Sequence, residues 1–386
     1  MTERTPRIAM VAGEVSGDTL GAGLIEALKA RYPDATFEGV AGTGMTAAGC
    51  RALASVDELA LFGIGEVVGE IPRLLRLRKR LLSHWTESPP DVFVGIDAPA
   101  FNTGLERRLR AAGVPTVHYV CPTAWAWREG RVRALREAVD LMLSIFPFEE
   151  DFFARHGVPV RYVGHRLADE LPLHPDAASA RAALGLPSAR HWVGLLPGSR
   201  LSEVERLGPA FIDTALWLRR RLPDVAFVAP MARPRVADRF RAQLAERAPD
   251  LTVHLIDGRS REVMRAADAL LVASGTATLE ALLAKAPMVV AYAVSPFTYR
   301  LVRHLRLLKV AHVSMPNLIA GRALVPEFLQ TEVRPEILGP WLYRLLVSPA
   351  ARSAQIDGFT ELHERLRRDA DAAAADAVAG VMEGAA

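Results

Sequence analysis

Four short stretches of the chain concentrate side chains able to do chemistry. In Gly95-Ile96-Asp97-Ala98-Pro99-Ala100-Phe101-Asn102 a carboxylate stands at the end of an apolar run. A carboxylate half-withdrawn from water holds its proton more tightly and can serve as a general base, which makes Asp97 a candidate. The plain alternative is that Asp97 caps a helix starting near Asn102, or bonds its own turn. In Ala12-Gly13-Glu14-Val15-Ser16-Gly17-Asp18, with Gly21 and Gly23 just beyond, glycines allow close backbone approach to a ligand, and the helix that follows favours an anion at its N-terminus. This stretch matches neither Gly-x-Gly-x-x-Gly nor a P-loop. It also reads as an ordinary strand–helix turn capped by Ser16 or Asp18.

The other two stretches suit phosphate. Leu196-Pro197-Gly198-Ser199-Arg200 offers a hydroxyl, backbone N–H groups and a planar guanidinium, with Glu203 and Glu205 in the helix start. Ser274-Gly275-Thr276-Ala277-Thr278-Leu279-Glu280 opens a helix with small hydroxyl residues and a glycine, a good pyrophosphate seat. Glu280, at i+4 from Thr276, can accept both hydroxyls of a ribose. Each is unremarkable by itself, and capping accounts for either. Two phosphate-suited turns in the second half and a carboxylate turn in the first suggest a nucleotide in one domain and a reacting group in the other.

The elements that must position these stretches follow from the apolar pattern. Arg7–Val11, Phe37–Val40, Val92–Ile96, Thr116–Val120, Leu141–Ile145 and Arg161–Val163 read as strands. Leu20–Arg31, Thr103–Ala112 and Gly130–Ala138 read as helices between them. The pattern restarts after a polar, Pro-marked stretch, Leu171–Ser188. Trp192–Leu196, Ala226–Ala229, Thr252–Ile256, Ala269–Val272 and Met288–Ala291 are further strands, with helices at Leu207–Arg221 and Arg235–Arg247. Such alternation predicts crossover units and parallel sheets, with ligands beyond the C-terminal strand ends. The expected organisation is an α/β domain over 1–168, a second over 169–350, and a helical tail over 351–386.

Composition narrows the class. A chain of 386 residues, 50% hydrophobic and 24% charged, is long enough for two cores and is neither disordered nor a coiled coil. Two cysteines, Cys50 and Cys121, support no disulfide framework or four-cysteine zinc site, and a reducing cytosol fits. The ten histidines show no paired metal spacing, and Asp369-Ala370-Asp371 sits in an Ala-rich helical stretch that reads as a solvated face, so no metal is expected. A formal charge of +3 is too small to argue for nucleic acid. No secretory signal or spanning segment is apparent, so the expectation is a soluble protein or one lying on a membrane. Two stretches look amphipathic and basic. Ile71 to Trp85 carries Arg73, Arg76, Arg78, Lys79 and Arg80 beside Leu74, Leu75, Leu81, Leu82 and Trp85. Phe297 to Val310 carries Arg300, Arg303, Arg306 and Lys309. Both suit an anionic membrane surface, and both also read as core helices with a solvated basic face.

Taken together, the motifs resemble the lipid A disaccharide synthases, bacterial glycosyltransferases of GT-B architecture. The four stretches above carry the likeness, with Trp125-Ala126-Trp127, Phe146-Pro147-Phe148-Glu149, Ala284-Lys285, Pro287-Met288-Val289-Val290 and Pro316-Asn317-Leu318-Ile319-Ala320-Gly321. They run in order from residue 8 to about 330. Val15 departs from an expected Ala, and Cys121-Pro122-Thr123-Ala124 from a Ser-Pro-Ser-Val run. The resemblance implies two Rossmann-like parallel-sheet domains facing a cleft. It implies UDP-2,3-diacylglucosamine as donor and 2,3-diacylglucosamine 1-phosphate (lipid X) as acceptor, giving a β-1′,6-linked disaccharide and UDP at the cytosolic face of the inner membrane. No cofactor is implied, and a homodimer is left open. In this scheme Asp97 is the base for the acceptor 6-hydroxyl, and Glu14 a competing base or an orienter. Ser16 and Asn102 line the acceptor site. Ser199, Arg200 and the helix beginning near Ser274, Gly275 and Thr276 stabilise the departing UDP without a metal. Glu280 holds the ribose and Asn317 completes the nucleotide pocket, while Arg76, Arg78, Lys79 and Arg80 face the membrane. The nearest rivals are another GT-B transferase, a UDP-sugar 2-epimerase, and a non-catalytic nucleotide-binding protein at a membrane.

Overall fold

The structure is a computed structural model that describes residues 5–59, 67–122, 132–294 and 312–384, with the backbone alone at 67–70. Trp125-Ala126-Trp127 and the basic stretch Phe297 to Val310 lie outside the described residues. The chain forms two compact units, one of Met1–Asp169 with Leu366–Ala386, the other of Glu170–Arg365.

The first unit is built on β1 (Arg7–Ala12), β2 (Thr36–Ala41), β3 (Cys50–Ser55), β4 (Val92–Ile96), β5 (Thr116–Tyr119), β6 (Leu141–Ser144) and β7 (Val160–Tyr162). They make one sheet in the order β3-β2-β1-β4-β5-β6-β7, with every described pairing parallel. Helices α1 (Val15–Arg31), α2 (Thr43–Ala47), α3 (Val67–Glu87) and α4 (Pro99–Ala111) connect the first strands. Strands covered on both faces read as continuous apolar runs, and Val92–Ile96 is buried throughout. The second unit repeats the plan with β8 (His191–Leu196), β9 (Val225–Met231), β10 (Val253–Asp257), β11 (Ala269–Ala273), β12 (Met288–Tyr292) and β13 (Glu327–Leu329). Its order is β10-β9-β8-β11-β12-β13, again parallel. The predicted strands are all present. β3 and β13 were not anticipated: both are edge strands, β3 has only the short apolar run Ala52-Leu53-Ala54 beside Arg51, and β13 has three residues.

In each sheet the chain winds outward from one strand, then crosses back to continue on its other side. Those reversals fall between β1 and β4 and between β8 and β11. A reversal of this kind leaves a crevice at the carboxyl ends of two adjacent strands whose following loops diverge.

The end of the chain is no free tail. Pro349–Leu366 lies in the second unit except for its last residue, whereas the helix Ala370–Met382 docks on α1 of the first. It buries Ala374, Ala377, Val378 and Val381. Asp169 accepts from the backbone N–H groups of Asp369 and Ala370 at 2.9 and 2.7 Å, and Arg166 pairs with Asp371 at 3.0 Å. The Asp369-Ala370-Asp371 stretch, expected as a solvated face, is thus a docking joint. Gly23 of α1 makes room for it, since a Cβ there would lie 1.8 Å from Arg166 Nη1 and 2.2 Å from Asp371 Oδ2.

Candidate active site

Both reversals carry the stretches singled out for chemistry. In the first unit the loops after β1 and β4 meet. Gly13 N–H donates to the Ile96 carbonyl at 3.2 Å, and a Cβ on Gly13 would stand 2.2 Å from Ala98 Cβ, so only glycine lets the loops close. The turns are tighter than the sequence suggests. α1 begins at Val15 with Glu14 as its N-cap, and α4 begins at Pro99 instead of near Asn102. Proline is suited to that first helical position. Asp97 and Ala98 are therefore squeezed into consecutive left-handed conformations, φ 53° and 44°. Asp adopts that region more readily than most residues, and alanine pays about 1–2 kcal/mol for it.

Asp97 is half-buried and its carboxyl is held above the ordinary range. Burial is the main cause and nearby Glu14 adds to it, while a backbone hydrogen bond from Ala98 and the charge of His118 oppose it. Glu14 is exposed and accepts from Ser16 Oγ at 2.5 Å. Asp18, a possible cap for α1, is buried and accepts instead from the backbone N–H groups of Gly42, Gly44 and Met45 at 2.7–3.1 Å. Asn102 lies beneath the turn, fully buried. Its amide nitrogen donates to the carbonyls of Asp97 at 2.8 Å and Val11 at 3.3 Å. Its place is that of a brace joining the two strand ends, and a direct contact with acceptor is not available to it.

Under the same turn lies a pair that sequence reasoning did not pick out. His118 on β5 and Glu106 on α4 are both fully buried, with Nδ1 and Oε1 2.6 Å apart. Burial lowers the proton affinity of the imidazole, but Glu106 and Asp97 more than offset it, so the pKa of His118 is raised. The one sequence signal was Gly95, the register partner of His118. A Cβ on Gly95 would lie 2.2 Å from Glu106 Oε1.

In the second unit the loops after β8 and β11 line a cavity of about 400 Å³, with Ser199, Arg200, Ser274, Gly275, Thr276 and Glu280 in its wall. The helices Leu201–Arg219 and Thr276–Leu283 both begin there, so two helix N-termini converge on one concavity, a setting that favours a diphosphate. Glu203, noted in the sequence only for the helix dipole, accepts from the backbone N–H groups of Ser199 and Arg200 at 2.9 and 3.2 Å and pairs with the Arg200 guanidinium at 3.1 Å. Gly198, at φ 129°, leaves space for that side chain. The Arg200 side chain is 80% exposed, so this pair is weak and the guanidinium is available to an incoming anion. Glu280 is held by Arg261 at 3.0 Å, a partner that no motif singled out. Ser274 Oγ donates to the Val313 carbonyl at 2.7 Å. Asn317, expected to complete this pocket, is not in the cavity wall. It is 1% exposed, and its amide is spent on the Val325 carbonyl and the N–H groups of Leu324 and Val325 at 2.7–2.9 Å. Asn317 braces the following turn.

The basic helix α3 divides along its length. Leu77, Leu81 and Trp85, at four-residue spacing, face the core, and Trp85 packs on Phe93 at 5.3 Å and donates to Glu38 at 3.0 Å. Trp85 is therefore a core residue and no membrane contact. Ile71 and Leu75 are exposed, 43% and 48%, beside exposed Arg76, Lys79 and Arg80. Arg78 turns inward over Gly104, where burial and the charges of Arg108 and Arg107 lower its pKa. Among the described residues no helix is long and apolar enough to cross a membrane.

The family profile of lipid-A-disaccharide synthetase matches residues 8–378, nearly the whole chain. The chain belongs to this family. It is 52% identical over 381 residues to the lipid-A-disaccharide synthase of Alkalilimnicola ehrlichii, covering 98% of this chain and 99% of that one. Lipid-A-disaccharide synthases are glycosyltransferases, so the chain is an enzyme of lipid A biosynthesis. Solved structures support the fold. A glycotransferase of kitacinnamycin superposes with a TM-score of 0.62 at 17% identity, covering 98% and 99% of the two chains. A UDP-glucosyltransferase from Polygonum tinctorium superposes with a TM-score of 0.60 at 12% identity, covering 99% and 100%. The lipid-A-disaccharide synthetase family thus has, in this member, the paired α/β units of the GT-B fold.

Proposed function

We propose that the chain is an inverting transferase that joins UDP-2,3-diacylglucosamine to 2,3-diacylglucosamine 1-phosphate, giving the β-1′,6-linked disaccharide and UDP. The observation that carries the reading is Asp97, a half-buried carboxyl with raised proton affinity at the reversal of the first sheet, in a chain whose second sheet has two helix N-termini at its own reversal. Asp97 takes the proton of the acceptor 6-hydroxyl while O6 forms its bond to the anomeric carbon. The bond from that carbon to the UDP oxygen breaks, and its electron pair leaves with UDP. Arg200, the Ser199 hydroxyl, the N–H group of Thr276 and the converging helix ends offset the negative charge on the leaving diphosphate. Glu280 receives the ribose hydroxyls once it exchanges Arg261 for ligand. Glu14, exposed and tied to Ser16, orients the acceptor. Ile71, Leu75, Arg76, Lys79 and Arg80 of α3 rest on an anionic membrane surface at the cytosolic face of the inner membrane, where acylated substrates reside.

Incubation with the two acylated substrates, followed by mass analysis and NMR of the anomeric proton, tests the reading. The expected product is one β-linked disaccharide per UDP released. Release of UDP with free sugar, or an α-linked product, would overturn it.

A further inference from the structure

Resting on the reading of Asp97 as the base, we infer that the buried His118–Glu106 pair is a positioning device for it: a cation held beneath the turn that keeps the Asp97 carboxylate ionised and ready to accept a proton. His118, Glu106 and Asn102, with Gly95 making room for them, form one fully buried polar layer beneath the turn. Gly95 and His118 are register partners on β4 and β5, and Gly95 gives up its side chain where Glu106 Oε1 lies. Asn102, whose Cβ and Cγ would stand 3.1 Å from a Cβ on Gly95, holds the Asp97 carbonyl. The layer is thus fastened to the turn that carries the base. Burying two ionisable groups is a poor way to gain stability, because desolvation cancels most of their attraction. A role in setting a neighbouring charge accounts for the pair more directly.

The electrostatics run in the required direction. Glu106 from α4 and Asp97 from the turn are the charged groups that act on His118, and both favour its protonated form. His118 in turn opposes the effects of burial and of Glu14 on Asp97. Without that cation the proton affinity of Asp97 would rise further, away from the ionised form that a base needs.

The test is the pH profile of kcat/KM for the full-length enzyme, its His118→Gln and Glu106→Gln variants, and His118→Gln in an Asp97→Asn background, with UDP affinity measured alongside. His118→Gln is expected to move the acid limb upward by about one pH unit, and Glu106→Gln to move it the same way. UDP affinity should stay unchanged, and His118→Gln should leave the pH profile of the Asp97→Asn variant as it is. A limb that stays in place in His118→Gln, while Asp97→Asn lowers turnover by about 10²-fold or more, overturns the inference and leaves Asp97 as the base. Turnover in Asp97→Asn within about tenfold of wild type overturns the reading of Asp97 itself. If the His118 variant does not fold, nitrogen NMR of ¹⁵N-histidine in the wild-type enzyme decides: His118 shifts of an imidazolium at pH 8 support the inference, and those of a neutral ring refute it.

Discussion

Replacing Asp97 by Asn separates what this position does for chemistry from what it costs the fold. On the chemical side, loss of a general base lowers turnover by about 10²–10⁴-fold, or roughly 2.7–5.4 kcal/mol of barrier at 1.36 kcal/mol per tenfold. On the structural side the sign is opposite. The Asp97 carboxyl binds its proton more tightly in the folded chain than an ordinary carboxyl does. Its contribution to stability is therefore present below the ordinary carboxylate range and is lost as pH rises through the raised value. Asn carries no such charge, and it tolerates the left-handed backbone at φ 53°. Asp97→Asn should thus unfold at the same temperature as wild type or higher at pH 8, with the advantage shrinking at acid pH. Asp97→Ala instead forces a Cβ with no polar partner into the left-handed region, at a cost of about 1 kcal/mol, or roughly 2–4 °C for a unit of this size. Release of UDP from acylated substrates measures the first effect, and scanning calorimetry at pH 5 and pH 8 the second. Turnover within tenfold of wild type would remove Asp97 from the chemistry. An Asn variant that melts below wild type at pH 8 would refute the electrostatic argument.

Three further outcomes are expected. Arg200→Ala should weaken UDP binding about 10–150-fold, the worth of a charge-assisted hydrogen bond, and slow turnover as well; calorimetry with unchanged UDP affinity, together with unchanged turnover, would exclude Arg200. Turnover should survive strong chelation, and loss in EDTA that magnesium or manganese restores would reject the metal-free scheme. Changing Arg76, Arg78, Lys79 and Arg80 to Ser should reduce binding to anionic vesicles at low salt by orders of magnitude, at about 1 kcal/mol per basic side chain near the surface, with inward-turned Arg78 contributing least. Co-sedimentation of both proteins at low and high salt checks this: a salt-resistant fraction identifies inserted Ile71 and Leu75, and equal sedimentation under both conditions rejects the membrane role.

The central strands were legible because burial on both faces leaves continuous apolar runs, as in Val92–Ile96 and Ala269–Ala273. Of the four edge strands, Val160–Tyr162 and Val253–Asp257 were read, whereas Cys50–Ser55, interrupted by Arg51, and the three-residue Glu327–Leu329 passed unnoticed. The four loops could be found from their glycines and polar residues at strand ends, but not how tight they are. Pro99 marked the first turn of α4, a signal outweighed by the small residues that follow. The bracing roles of Asn102 and Asn317 were not legible for a different reason: an amide facing a ligand and one bracing a buried turn carry the same letter. His118 and Glu106 meet through the register of β4 and β5 with α4 above, and Gly95 alone hinted at them. Trp85 was open to correct reading, since its four-residue spacing from Leu77 and Leu81 is that of a core stripe.

The return of Ala370–Met382 to α1 bears on how the molecule is made. Everything from Glu170 to Arg365 is, in effect, an insertion within the first unit. At a ribosome adding 5–20 residues per second, the first unit waits roughly 10–40 s after Asp169 is added before its last helix exists. Through that interval the face of α1 around Gly23 is open to water or to a chaperone, while the second unit is synthesised in full and can fold first. The first-made unit is therefore the last to be finished, and a nascent chain that stops between residues 366 and 370 holds an unclosed first unit and a second unit complete in sequence.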